Sequence, residues 1–194
     1  VLQTMVANAS GAKKSAALRG AVAGLYAHWE GYIKYASGVY IDFVRMRRLN
    51  VSELHPGFVG LLLRGRIQNA ASTQSGVALR SFVEDLLNIW QSRAHLPSTE
   101  KLSTQSNLSA AVFKDIVLSL GIPYLDEYAA AEKPVIDSLL GKRNRLAHGE
   151  WERVSEDEFD EYWTWIDKLL THFADSIEKA AIHESYRRPM PQLS

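Results

Sequence analysis

Apolar side chains recur at three- and four-residue steps along most of this chain, the spacing that lines one face of an α-helix. Between residues 15 and 48 they are Leu18, Val22, Leu25, Trp29, Ile33, Ala36, Tyr40 and Phe43, which predicts one long helix with a buried stripe. Arg45, Arg47 and Arg48 close it with cations, which suit a helix C-terminus. Pro56 breaks the chain in a loop over 50–57. A helix over 58–69 follows, diluted by Gly60 and Gly65. After a polar break at 72–76, Leu79, Phe82, Val83, Leu86, Leu87 and Trp90 restore the helical period over 77–90. Residues 96–107, rich in Ser and Thr, predict an exposed loop long enough to act as a flap.

The second half continues in the same way. A helix over 109–120 is stopped by Gly121 and Pro123. Another is expected over 132–148, with Pro134 in its first turn and Gly149 just past its end. Ser155 and Glu158 have the spacing of a capping box. They open a last helix over 156–181, whose apolar face includes Phe159, Tyr162, Ile166, Leu169, Phe173 and Ile177. Pro189 and Pro191 predict a frayed tail. No strand-like alternation and no internal repeat is present. The expected architecture is an all-α antiparallel bundle of four or more helices: one domain over 1–185 and a flexible tail over 186–194.

Composition narrows the chemistry. Lys plus Arg number 22 and Asp plus Glu number 22, so the formal net charge is zero. Bulk charge therefore does not draw the chain to nucleic acid, and any RNA contact must come from a local cluster of cations. The 194 residues contain no cysteine, which removes disulfides, thiolate nucleophiles and Cys-based zinc sites. No apolar run approaches the ~18 residues of a membrane span. The N-terminal residues lack the charged-then-apolar order of a signal peptide, so a cytoplasmic chain without a membrane partner is expected.

One helix breaks its own pattern. Val135, Ile136, Leu139, Leu140, Leu146 and Ala147 define an apolar stripe, and at about 100° per residue Arg143 falls near its middle. An arginine there costs several kcal/mol in desolvation unless it is paired or used. Asn144 and His148 are four residues apart and share a face, so the amide can orient the imidazole. Arg143 and His148 are five apart, about 140° around an ideal helix. They can serve one ligand if the helix frays near His148, if Arg143 reaches round, or if a second copy completes the site.

The segment RNRLAH resembles the Arg-(four to six residues)-His signature of HEPN domains, in the form Arg-Asn-x-x-x-His. LYAHWEGYIKYASGVYIDFV and QSNLSAAVFKDIVLSLGIP resemble the first helix and the middle segment of the prokaryotic RiboL-PSP-like branch, and their spacing to KRNRLAHGE fits. The resemblance covers most of residues 15–180. It implies a helical bundle that dimerises so that two motifs meet in one cleft, and a metal-independent endoribonuclease with no cofactor. It also implies a setting in toxin–antitoxin modules, phage defence or RNA processing. In that reading His148 is general base or acid, since an imidazole titrating near ~6.5 can do either at neutral pH. Arg143 steadies the charge growing on the phosphorane, and Asn144 orients His148. Lys142, Arg145 and Arg153 hold flanking phosphates, and Trp151 is placed to stack on a base. The expected partners are RNA, a second copy of the chain and a cognate antitoxin or inhibitor protein.

Plainer readings stand beside these. Arg143 can be a structural ion pair, with Glu30 on the flank of the first helix as its partner, and Glu30 can also act as a brace that positions it. His148 can be an ordinary helix-end cap. His28, His55, His95, His172 and His183 show no ligand spacing, so no metal site is expected. The remaining function classes are a non-catalytic HEPN interaction or nucleotide-binding module and a target of a partner enzyme.

Overall fold

Helix α2, Gly11–Met46, carries the predicted stripe where it was expected: Leu18, Val22, Leu25, Trp29 and Ile33 are all buried. The computed structural model describes residues 1–73, 75–96 and 107–189. Before α2 lies α1, Leu2–Ala7, a six-residue helix too short to show a period. A 3₁₀ turn, Val51–Glu53, leads to α3, Pro56–Ser72, and α4, Gly76–Ile89. Then come α5, Ala110–Ser119, and α6, Asp126–Ala131, which runs through a π-helical stretch, Glu132–Asp137, into α7, Ser138–Ala147. The last element is α8, Glu156–Ile182. The class is all-α. Beyond helices the described residues hold only two isolated bridges, Asn50 with Arg93 and Leu54 with Arg187.

The chain divides into two compact units, and helices α2, α5 and α8 supply residues to both. The first comprises Val1–Ala36, Ser103–Asp115 and Tyr124–Asp175. Its core centres on the fully buried Phe113 of α5. That ring meets Trp29 of α2 at 5.0 Å, Tyr128 of α6 at 5.1 Å and Phe173 of α8 at 5.8 Å between centroids. Burying one such ring stabilises by roughly 1.5–3 kcal/mol, and the edge-on contacts add to it.

The second unit comprises Ser37–Leu102, Ile116–Pro123 and Ser176–Ser194. Tyr40 packs edge-on to Phe58 at 5.8 Å, and Phe43 packs on Tyr186 at 5.9 Å. Gly57 has no alternative here, because a Cβ would collide with the Ser119 carbonyl. Tyr186 is fully buried, and the His55 and Arg188 N–H groups donate to the Tyr186 and Glu53 carbonyls. The chain is thus pinned at residues 186–188, where a flexible tail was expected; the aromatic anchor outweighs the prolines beyond it. Residues 190–194 lie outside the described part, as does the interior of the 96–107 stretch expected to form a flap.

Two further elements depart from their sequence patterns. Helix α4 forms, yet none of its residues is buried, and Leu79, Val83 and Leu87 are exposed. Pro134 sits inside a continuous helix instead of in a first turn. A proline cannot donate a backbone hydrogen bond and crowds the preceding turn. The wider π-helical turn around it accommodates that loss without breaking the helix.

Candidate functional site

The site residues come from α7 and from the segment that leads into α5, both in the first unit. Helix α7 ends where glycine was expected to end it. Gly149 takes φ +77°, its N–H donates to the Leu146 carbonyl, and the Glu150 N–H donates to the Arg145 carbonyl. This is the Schellman arrangement, and it leaves His148 as the last residue of near-helical geometry.

Within the run from Lys142 to Arg145, cations with opposite fates alternate. Lys142 is buried, and its Nζ lies 3.0 Å from both Glu152 Oε1 and Glu158 Oε1 and donates to the Arg153 carbonyl at 3.3 Å. Burial disfavours its charge, but the two carboxylates outweigh that and raise its pKa. Arg145 grips Glu152 through Nε at 2.7 Å and Nη2 at 3.2 Å. Arg145 and then Lys142 hold the Glu152 carboxyl down at about 2. Lys142 and Arg145, both candidates for phosphate contacts, are therefore largely neutralised by Glu152 and Glu158. Only half of the capping box forms as written: Ser155 Oγ accepts from the Glu158 N–H at 3.2 Å, while the Glu158 carboxylate turns to Lys142 and Tyr162.

Arg143 is held differently. Its Nη1 donates to Asn144 Oδ1 at 2.9 Å and to Asn107 Oδ1 at 3.0 Å, and Asn107 Nδ2 donates to Asn144 Oδ1 at 3.3 Å. The guanidinium lies 5.1 Å from the centre of the Tyr26 ring. Among the described residues its bonds go to neutral amide oxygens and none to a carboxylate, so its orientation is fixed without an ion pair there. Glu30, the expected ion-pair partner, is bonded to Lys34 at 2.9 Å.

A second layer supports this arrangement. Tyr26 Oη accepts the Leu108 N–H at 2.7 Å, and Asp137 Oδ1 accepts the Ala110 N–H at 2.9 Å. Burial, and secondarily Glu30, push the Tyr26 hydroxyl up to about 12, so it stays protonated. Burial works against the Asp137 charge, but Lys133 and the Ala110 N–H lower its pKa overall. These contacts fix the backbone that follows Asn107.

Arg143 also lines a cleft of about 470 Å³ between α2 and the end of α7, walled by Ala16, Arg19, Gly20, Leu146, Ala147 and Glu150, among others. His148 is exposed, is not part of that lining, and makes no side-chain hydrogen bond among the described residues. Asn144, expected to orient His148, accepts a hydrogen bond from Arg143 and makes none to His148 among the described residues. Trp151 is 74% exposed, free to meet a ligand, and the Arg153 side chain is exposed as well. Asn107 carries no local sequence signal, sitting at the end of a Ser/Thr-rich stretch; only the resemblance of QSNLSAAVFKDIVLSLGIP pointed to its segment. Among the described residues no cluster of three His, Asp or Glu side chains is placed to hold a metal ion.

Of the comparisons with known proteins, one gives a match: the model of the MAE_28990-like HEPN family matches residues 2–186. Neither the curated proteins nor the solved structures yield a match to the chain.

Proposed function

We propose that this chain, which belongs to the MAE_28990-like HEPN family, is an endoribonuclease that cuts RNA without a metal through Arg143, Asn144 and His148. One observation supports this best: Arg143 is half-buried and held by two amides, yet among the described residues no carboxylate pairs with it, while the cations on either side of it are paired. A structural arginine would be neutralised by a carboxylate. One held only by amide oxygens is prepared for an anion that arrives from outside, such as a phosphodiester.

In the proposed reaction a ribose 2′-hydroxyl attacks the adjacent phosphorus, its proton passing to a basic imidazole. The bond from phosphorus to the 5′-oxygen breaks, and that oxygen takes a proton from an acidic imidazole. The products are a 2′,3′-cyclic phosphate and a 5′-hydroxyl. Arg143 stabilises the charge on the phosphorane oxygens. A two-fold dimer supplies the two imidazoles, because a single His148 stands outside the cleft its own Arg143 faces. This reading places the chain in the RiboL-PSP-like branch, with its Arg-Asn-x-x-x-His motif at work. It also makes the chain a cytoplasmic toxin or phage-defence effector restrained by a cognate inhibitor protein.

The test is incubation of purified protein with cellular RNA in EDTA. Internal cuts ending in cyclic phosphates are expected. The second reading is a non-catalytic interaction or nucleotide-binding module, and the exposed position of His148 outside the cleft favours it. RNA that is bound but never cut would decide for that module.

A further inference from the structure

Helix α2 brings a second arginine to the cleft that Arg143 lines. Ala16, Arg19, Gly20 and Ala23 fall at steps of three, four and seven residues, so they share one face of α2. Opposite them stand Arg143, Leu146, Ala147, Gly149 and Glu150 at the end of α7. Arg19 is half-buried, and among the described residues it has no hydrogen bond or ion pair. Most other cations of this unit are paired, Lys14 with Glu156 and Lys133 with Asp137 among them. The single acidic residue in the lining, Glu150, does not balance two arginines.

We propose that Arg19 binds an RNA phosphate adjacent to the one that Arg143 holds, so that the cleft seats one nucleotide of the bound strand. This rests on the nuclease reading above and extends it to a substrate subsite. The volume of about 470 Å³ lies within the ~300–1,000 Å³ of clefts that hold small ligands. Short side chains at Ala16, Gly20, Ala23 and Ala147 leave room for a ribose and base to lie against the helices. Among the described residues nothing beyond its chain neighbours lies within 4 Å of a Cβ built on Gly149, so there is room for a ligand at that position of the lining. A guanidinium on each wall offers one donor group to each of two successive phosphates.

The probe is a fluorescent, uncleavable 2′-O-methyl oligoribonucleotide, followed by anisotropy across a salt series with wild type, Arg19→Gln and Arg19→Lys. Arg19→Gln is expected to weaken binding about tenfold at low salt. It should also flatten the slope of log affinity against log salt by about 0.7, the value for one single-strand phosphate contact. Arg19→Lys should keep the slope and lose part of the affinity. An Arg19→Gln protein with wild-type affinity and slope overturns the subsite, as does a wild type that does not bind the probe. Cleavage measured in parallel separates the two claims. An Arg19-dependent slope without any cleavage keeps the subsite and removes the nuclease; cleavage and binding both indifferent to Arg19 do the reverse.

Discussion

Arg143 Nη1 donates to Asn144 Oδ1 at 2.9 Å, so the amide next to it in the sequence holds the guanidinium. The pairing of neighbours on a helix is unusual, because successive side chains point about 100° apart. Asn107, reaching in from the segment before α5, closes the triangle by bonding both. From this follow separate expectations for charge and for geometry at Arg143.

Arg143→Ala should remove cleavage without unfolding the protein. Loss of one fixed donor to a developing oxyanion costs roughly 10²–10³ in rate. Two amide bonds to a partly exposed cation are lost, with a stability cost on the order of 2 kcal/mol. Arg143→Lys should keep the stability but not the rate, since an ammonium cannot reproduce the fork. Thermal melts and single-turnover cleavage check both. A large stability loss in Arg143→Lys would assign the residue to structure.

Asn107→Ala and Asn144→Ala should each lower kcat/KM about tenfold, equivalent to ~1.4 kcal/mol of transition-state stabilisation. They act on the same guanidinium, so the double variant should be scarcely worse than either single one. Fully additive losses in a double-mutant cycle would mean that the two amides work independently.

Glu152 gives the fold a pH signature. Its carboxyl titrates at about 2 in the folded chain, against ~4.3 for an ordinary glutamate in an unfolded one. A depressed value stabilises the fold above the unfolded value, and that stabilisation is lost as pH falls through the folded one. Glu152→Gln should therefore lower the melting temperature at pH 7, leaving Lys142 with Glu158 alone. The difference from wild type should hold down to pH ~5 and close between about 4 and 2. A gap independent of pH would contradict the ion-pair account of Lys142 and Arg145.

Gly149→Ala places a side chain at φ +77°, where an L-residue costs roughly 1–2 kcal/mol. Among the described residues no atom beyond its chain neighbours lies within 4 Å of the new methyl, so backbone strain is the expected source of destabilisation. For a chain of this size each kcal/mol lowers Tm by about 2–4 °C. An unchanged Tm would show that the Schellman end of α7 is not rigid.

The helices were legible because burial imposes a period. Leu18, Val22, Leu25, Trp29 and Ile33 announce α2 without reference to any partner. Pro134 misled because a π-helical turn, a tertiary accommodation, absorbs what looked like a helix start. At the site, Arg143 was visible as a cation in an apolar stripe. Asn107 was not, since thirty-six positions separate it from Arg143 and only folding brings them together. Lys142 and Arg145 resembled Arg143 in sequence; their pairing with Glu152 depends on the turn between α7 and α8. Spacing put Asn144 and His148 on one face, and no spacing rule predicts that the amide bonds its immediate neighbour.

The most direct test compares RNA cleavage by wild type and His148→Ala in EDTA, with circular dichroism recorded on both. The exposed His148 side chain makes no hydrogen bond among the described residues, so the variant should fold and melt as wild type does. Its cleavage rate should fall at least a hundredfold, within the range for a lost general acid–base group. A His148→Ala protein that cuts RNA as fast as wild type would contradict the account.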